Sequence, residues 1–139
     1  MIIAIRISGM VKVPTAVQET LNRIRLRRKY AAVLVQPTVE NMKLLQKVRS
    51  YIAYGEIDNE TLKALVEKRG QPIDKSQKID AEKVISGLEK KKLSDLGLKP
   101  FFRLHPPIGG IESKKHFGVG KGVLGNHKKD INKLVRRML

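Results

Sequence analysis

IIAIRISGMVKVPTAVQETLNRIRLRRKYAAVLVQPTVENMKLLQKV, residues 2–48, repeats one pattern: an apolar run, a Pro-Thr pair, then apolar residues at helical spacing. Ile2 to Ile7 reads as a short strand closed by Ser8 and Gly9. Pro14 and Thr15 then open a helix, Thr15 and Gln18 standing at capping-box spacing and Val17, Leu21 and Ile24 sharing one face. That helix ends among Arg23, Arg25, Arg27, Arg28 and Lys29, where cations suit the negative end of its dipole. Ala31 to Gln36 is a second buried strand, and Pro37-Thr38 starts a second helix with Met42, Leu45 and Val48 inward. Two units are too few for a solenoid, so the pattern predicts a β-α-β-α scaffold completed by a third strand, Tyr51 to Ile57. The fold class is α+β: a small β-α-β-α-β ferredoxin-like sandwich, helices on one face of a three-stranded sheet, the other face or the loop ends left for a partner.

Outward from this core, residues 1–57, two further stretches belong to the same globular unit. Residues 58–99 form a helical extension. Asp58 caps a helix with Leu62, Leu65 and Val66 inward, Lys68 and Arg69 in its last turn, and Gly70 as its stop before Pro72. Gln71 to Ile79 is a polar loop, and Asp80 caps a short helix bearing Val84, Ile85 and Leu88 ahead of the Lys90 to Lys92 run. Residues 100–139 are a basic, Gly-rich extension with nine Lys or Arg against two acids. Within it Phe101 to Leu104 reads as a strand, and Asp130 to Met138 as a helix with Ile131, Leu134 and Val135 on one side. With little to bury, this extension is expected to be partly mobile until a polyanion orders it.

Charge supplies the functional signal. Twenty-nine Lys and Arg against thirteen Asp and Glu leave a formal +16 on 139 residues, a balance most often met by phosphate backbones. The absence of Cys excludes disulfides, thiolate metal sites and Cys nucleophiles, and suits a reducing compartment. The first five residues make too short an apolar run for a secretory signal and no later stretch approaches a membrane span, so a soluble cytoplasmic protein is expected.

Arg23, Arg25, Arg27 and Arg28 form the most telling patch, because a planar guanidinium holds phosphate bidentately or lies over an unstacked base. Lys12 and Lys29 flank it. In the extension the RNA-facing candidates are Arg103, His105, Lys114, Lys115, His116, Lys121, Asn126, His127, Lys128, Lys129, Arg136 and Arg137, together with Gly109 and Gly110, whose bare backbone can approach phosphates closely. Tyr30, Tyr51, Tyr54, Phe101, Phe102 and Phe117 are too scattered for a single-strand stacking platform, which favours shape recognition of folded RNA. Other chemistry fails on context. Gly120, Gly122 and Gly125 spell GxGxxG with no room for a following βαβ unit, and Gly122 follows Lys121 where a Walker loop needs Ser or Thr. His105, His116 and His127 match no zinc spacing, and Glu56, Asp58 and Glu60 crowd a helix start where capping explains them.

The opening IRISGMVKVPTAVQETLNRIRLRRKYAAVLVQPT, the central YIAYGEIDNETLKALVEKRG and the closing FRLHPPIGG with GNHKKDINKLVRRM together resemble the large-subunit ribosomal protein thirty family in its longer archaeal and eukaryotic form. The resemblance implies a structural component of the large ribosomal subunit that binds its large rRNA close to the 5S rRNA, among neighbouring ribosomal proteins, with no catalytic activity and no cofactor. Many members carry a basic residue after the Pro-Pro pair where this chain has Ile108, which shifts the expected phosphate contact to Lys114 or Lys115. Charge alone also permits an architectural double-stranded DNA-binding protein of a compact chromosome. An RNA-modifying enzyme would need a nucleophile or an acceptor pocket that the sequence does not offer.

Overall fold

The computed structural model describes residues 2–7, 9, 13–69, 87, 101–108 and 122–138, and the backbone of 112–116. The Gly70 stop, the Gln71 to Ile79 loop, the Asp80 helix with Val84, Ile85 and Leu88, and the Lys90 to Lys92 run lie outside the described residues. So do Lys12, Gly109, Gly110, Phe117, Gly120 and Lys121.

Strand β1 (Ile2–Arg6) is buried at every position. Helix α1 (Thr15–Arg23), strand β2 (Ala31–Val35), helix α2 (Val39–Lys47) and strand β3 (Ile52–Glu56) follow in chain order. β1 lies between β2 and β3 and is antiparallel to both, with Ala4 opposite Val33 on one side and Tyr54 on the other. Helix α3 (Asn59–Arg69), strands β4 (Phe102–Arg103), β5 (Glu112–His116) and β6 (Gly122–Lys128), and helix α4 (Ile131–Met138) complete the described elements. All six strands form one sheet in the order β4-β2-β1-β3-β6-β5.

The β-α-β-α-β core is as expected, with α1 and α2 on one face. Ile2, Ala4, Val33, Ile52 and Tyr54 meet Leu21 of α1 and Leu45 of α2 there. Of the two places expected for a partner, the opposite face or the loop ends, the opposite face needs correction because it is covered. Ile3, Ile5, Ala32 and Ala53 point to that face, and α3 covers them with Leu62, Leu65 and Val66 while α4 adds Ile131, Leu134, Val135 and Met138. A strand flanked on both sides and covered on both faces has no polar side to show, which is why β1 reads as an unbroken apolar run rather than an alternation.

The sheet likewise has more than three strands. The described parts of the basic extension bury Phe102, Leu104, Val123, Leu124 and the apolar stripe of α4, so they are core-forming and do not fit the description of a tail with little to bury. Each such side chain contributes roughly 1.5–3 kcal/mol by leaving water.

Local interactions fix the joints. Thr38 caps α2, its hydroxyl accepting from the Asn41 amide at 3.2 Å, and Asp58 caps α3 through the Thr61 amide at 2.7 Å. Asn132 ties α4 to the β3–α3 turn, donating from Nδ2 to the Glu56 carbonyl and accepting from the Asp58 amide at 2.9 Å. The far end of α4 is closed by the HPP segment: the amides of His105 and Ile108 donate to the carbonyls of Met138 and Arg137, acceptors that a helix terminus leaves unpaired. Among the described residues no helix is long and apolar enough to cross a membrane.

Candidate nucleic-acid interface

The turn from α1 into β2 is built to present cations. Arg25 donates its amide to the Asn22 carbonyl and Leu26 donates back to the Leu21 carbonyl at 2.9 Å. With Arg25 at φ 67°, this is a Schellman closure, and Leu21 and Leu26 supply its hydrophobic contact, both fully buried. Glycine normally occupies the left-handed position. Holding Arg there costs about 1 kcal/mol or more and directs a long cationic side chain outward at the corner. Tyr30 is the second left-handed residue, at φ 64°. Its amide donates to the Arg6 carbonyl at 2.7 Å and its carbonyl accepts from Leu104, so the end of the turn is pinned to β1 and to the residue after β4.

Arg6 holds this turn from beneath. It is wholly buried, and its guanidinium donates to the Leu26 carbonyl at 2.9 Å, to Gln18 Oε1 at 2.9 Å and to the Gly9 carbonyl at 3.2 Å. Burial lowers its pKa, and an arginine stays charged all the same. The same contact explains why the expected Thr15/Gln18 capping box is absent. The residue before α1 is Pro14 with no side-chain cap, and Gln18 is occupied by Arg6 and by Asn22. Arg6, the last residue of β1, is thus a structural cation, a role that its charge alone does not announce in the sequence.

The turn faces β4, because β2 pairs antiparallel with it, Ala31 opposite Arg103 and Ala32 opposite Phe102. Between them lies a half-open cleft of about 380 Å³ lined by Arg25, Arg27, Arg28, Lys29 and Arg103 over Tyr30, Ala31, Phe101 and Leu104. No acid is among its described lining residues. Lys29 Nζ stands 5.1 Å from the centre of the Tyr30 ring, and Arg103 Cζ 5.7 Å from that of Phe101, both within cation–π range. Two stretches some seventy residues apart thus build one cationic site, and Arg103 of the extension belongs with the cluster of the core. Arg23, exposed in the last turn of α1, lies beside this site and does not line it.

The other candidates do not converge on it. Asn126, Lys128 and Lys129 sit at the end of β6, four strand spacings from β4, or ~19 Å. They border a larger hollow of about 760 Å³ that also contains Glu56 and Asp130, and mixed charge suits phosphate poorly. Lys114, Lys115 and His116 lie on β5, the opposite sheet edge. Arg136 reaches Glu60 at 3.7 Å and Thr61 Oγ1 at 3.4 Å, and Arg137 donates to the Ile108 carbonyl at 2.8 Å. Both therefore have contacts within the fold, Arg136 an exposed one. His105 is exposed, its amide closing α4.

His127 departs from the expectation of an RNA-facing donor. It is 4 % exposed, and its Nε2 is hydrogen-bonded to the Val123 carbonyl, which requires that nitrogen to carry the proton. Burial pushes its pKa down from 6.5, opposed by the Val123 hydrogen bond and by Asp130. A histidine whose folded pKa is depressed contributes its full stability above the unfolded value and loses it as pH falls below about 6.5. The melting temperature is therefore expected to decline between about pH 7 and pH 5. His127→Gln, measured over the same range, should flatten that part of the profile; an unchanged slope would remove His127 as its source.

Comparison with known proteins agrees with this architecture. The model of the family described as ribosomal protein L30p/L7e matches residues 2–52, the stretch that forms β1 through the start of β3. Similarity continues across the rest. A large ribosomal subunit protein uL30 of Aeropyrum pernix is 37% identical, covering 97% of this chain and 96% of its own length. Those of Archaeoglobus fulgidus, 37% identical over 99% of both chains, and Methanococcus maripaludis, 36% identical over 97% of both, are similar to the same extent. Near-complete coverage in both directions takes in the extension that closes the sheet, and the chain belongs to the uL30 family of large-subunit ribosomal proteins.

Proposed function

We propose that this chain is a non-catalytic structural constituent of the large ribosomal subunit that clamps large-subunit rRNA through the cleft between the α1–β2 turn and β4. The observation that carries the reading is the convergence of Arg25, Arg27, Arg28, Lys29 and Arg103 on one cleft with no acid among its described lining residues. Cations so placed displace condensed counterions from phosphates, neutralising RNA segments that otherwise repel and so aiding folding and assembly. A position close to the 5S rRNA, with neighbouring ribosomal proteins as further partners, is part of the proposal and is supported by family membership.

Binding of the full chain to a large-subunit rRNA fragment and to duplex DNA of equal length, at ~0.2 M salt, tests it. Folded RNA should be preferred about tenfold, since charge alone favours neither polymer strongly. Equal affinity would favour the double-stranded DNA reading. Crosslinks to 5S rRNA from the intact subunit test the finer placement.

A further inference from the structure

The cationic cleft has an aromatic interior that phosphate binding does not use. Tyr30 and Phe101 are both half-buried and both line it, Tyr30 packed against the core of one sheet face and Phe101 against that of the other. No aromatic cluster is visible in the sequence because the pair assembles only when β4 docks on β2. Each ring has a cation over it at 5.1 and 5.7 Å, so flat apolar surface and positive charge occur together. The surroundings are fixed in advance: Tyr30 is held through both its amide and its carbonyl, and Arg103 lies opposite Ala31 in the sheet. Fixed groups lose little entropy on binding. At about 380 Å³ the cleft is at the small end of the ~300–1,000 Å³ typical of ligand pockets, too small for a helix and of a size for a single nucleoside.

We infer that this cleft seats one unstacked nucleotide of a folded RNA, its base against Tyr30 and Phe101 and its flanking phosphates on Arg25, Arg27 and Arg28. The inference rests on the RNA-binding reading above and adds a class of target, a bulge or loop nucleotide lying outside the helical stack. Stacking on an aromatic ring is sequence-tolerant, because every base has a π face. The site therefore selects for exposure of a base more than for its identity. It is a single slot, which leaves shape recognition as the main mode over the rest of the surface.

The test uses the full chain and two hairpin RNAs alike except at one bulged position, 2-aminopurine in one and an abasic residue in the other, so that phosphate number is constant. The hairpin with the base should bind about tenfold tighter, with the same salt slope and with altered 2-aminopurine fluorescence on binding. Phe101→Leu keeps apolar bulk without the ring and should abolish the ratio while leaving the salt slope in place. Phe101→Tyr should restore it. Equal affinity for the two hairpins, or a ratio unmoved by Phe101→Leu, overturns the nucleotide slot and leaves the RNA-binding reading standing. Failure to bind either hairpin with salt-dependent affinity overturns both.

Discussion

Replacing Arg25, Arg27, Arg28 and Arg103 together with Ala is expected to weaken binding to a large-subunit rRNA fragment by roughly two orders of magnitude near ~0.15 M salt. It should also reduce the slope of log affinity against log salt by about 3, since each phosphate neutralised contributes ~0.7–0.9. The fold should survive. All four side chains are exposed at the cleft, and an exposed cation contributes little stability. Arg25 is the one position with a backbone constraint, and Ala there inherits the left-handed strain that Arg already bears. Lys43→Ala with Lys47→Ala is the matching control, because both are exposed on α2 away from the cleft. That pair should change the slope far less. A quadruple variant with an unchanged slope would remove the cleft as the phosphate site.

How much of this was legible depends on the range of the interaction. The two Pro-Thr helix starts, the Asp58 cap and the buried strands are local signals, and each lies where the residues place it, although the Thr15/Gln18 capping box does not form. The cation cluster at 25–29 was equally plain. Its union with Arg103 was not, because it depends on β4 pairing with β2 across seventy residues. The covered second face was missed for a related reason. Nine cations in the extension masked its apolar set, although Ile131, Leu134, Val135 and Met138 stand at helical spacing and complete the core. Arg6 and His127 break the rule that polar residues lie outside, each retained by hydrogen bonds to backbone carbonyls, that of Leu26 twenty residues on for Arg6 and that of Val123 within the same strand for His127.

The other large effect is one of stability, and it arises where the core and extension meet. β3 and β6 run parallel, Ala53 beside Gly125 and Tyr54 beside Asn126, and the register then shifts so that Gly55 stands beside Lys128. At Gly55 the two backbones approach so closely that a Cβ would fall inside contact distance of the Lys128 carbonyl oxygen and 2.9 Å from both Cβ and Cγ2 of Ile131. Neither obstacle is the free end of a flexible side chain. One is strand backbone and the other is the first residue of α4, itself fully buried. Gly55→Ala must therefore push β6 and α4 away from β3, loosening the packing over Leu134, Val135 and Met138. Overpacking of this kind costs about 3 kcal/mol. For a domain of this size that corresponds to a melting temperature lower by roughly 10 °C. Gly9→Ala provides the comparison, since a Cβ there meets nothing within 4 Å and should leave the melting temperature unchanged. Calorimetry of the two variants separates the explanations. If both melt like the parent protein, the close approach of β3 to β6 is wrong; if only Gly55→Ala is destabilised, the extension is an integral part of the core.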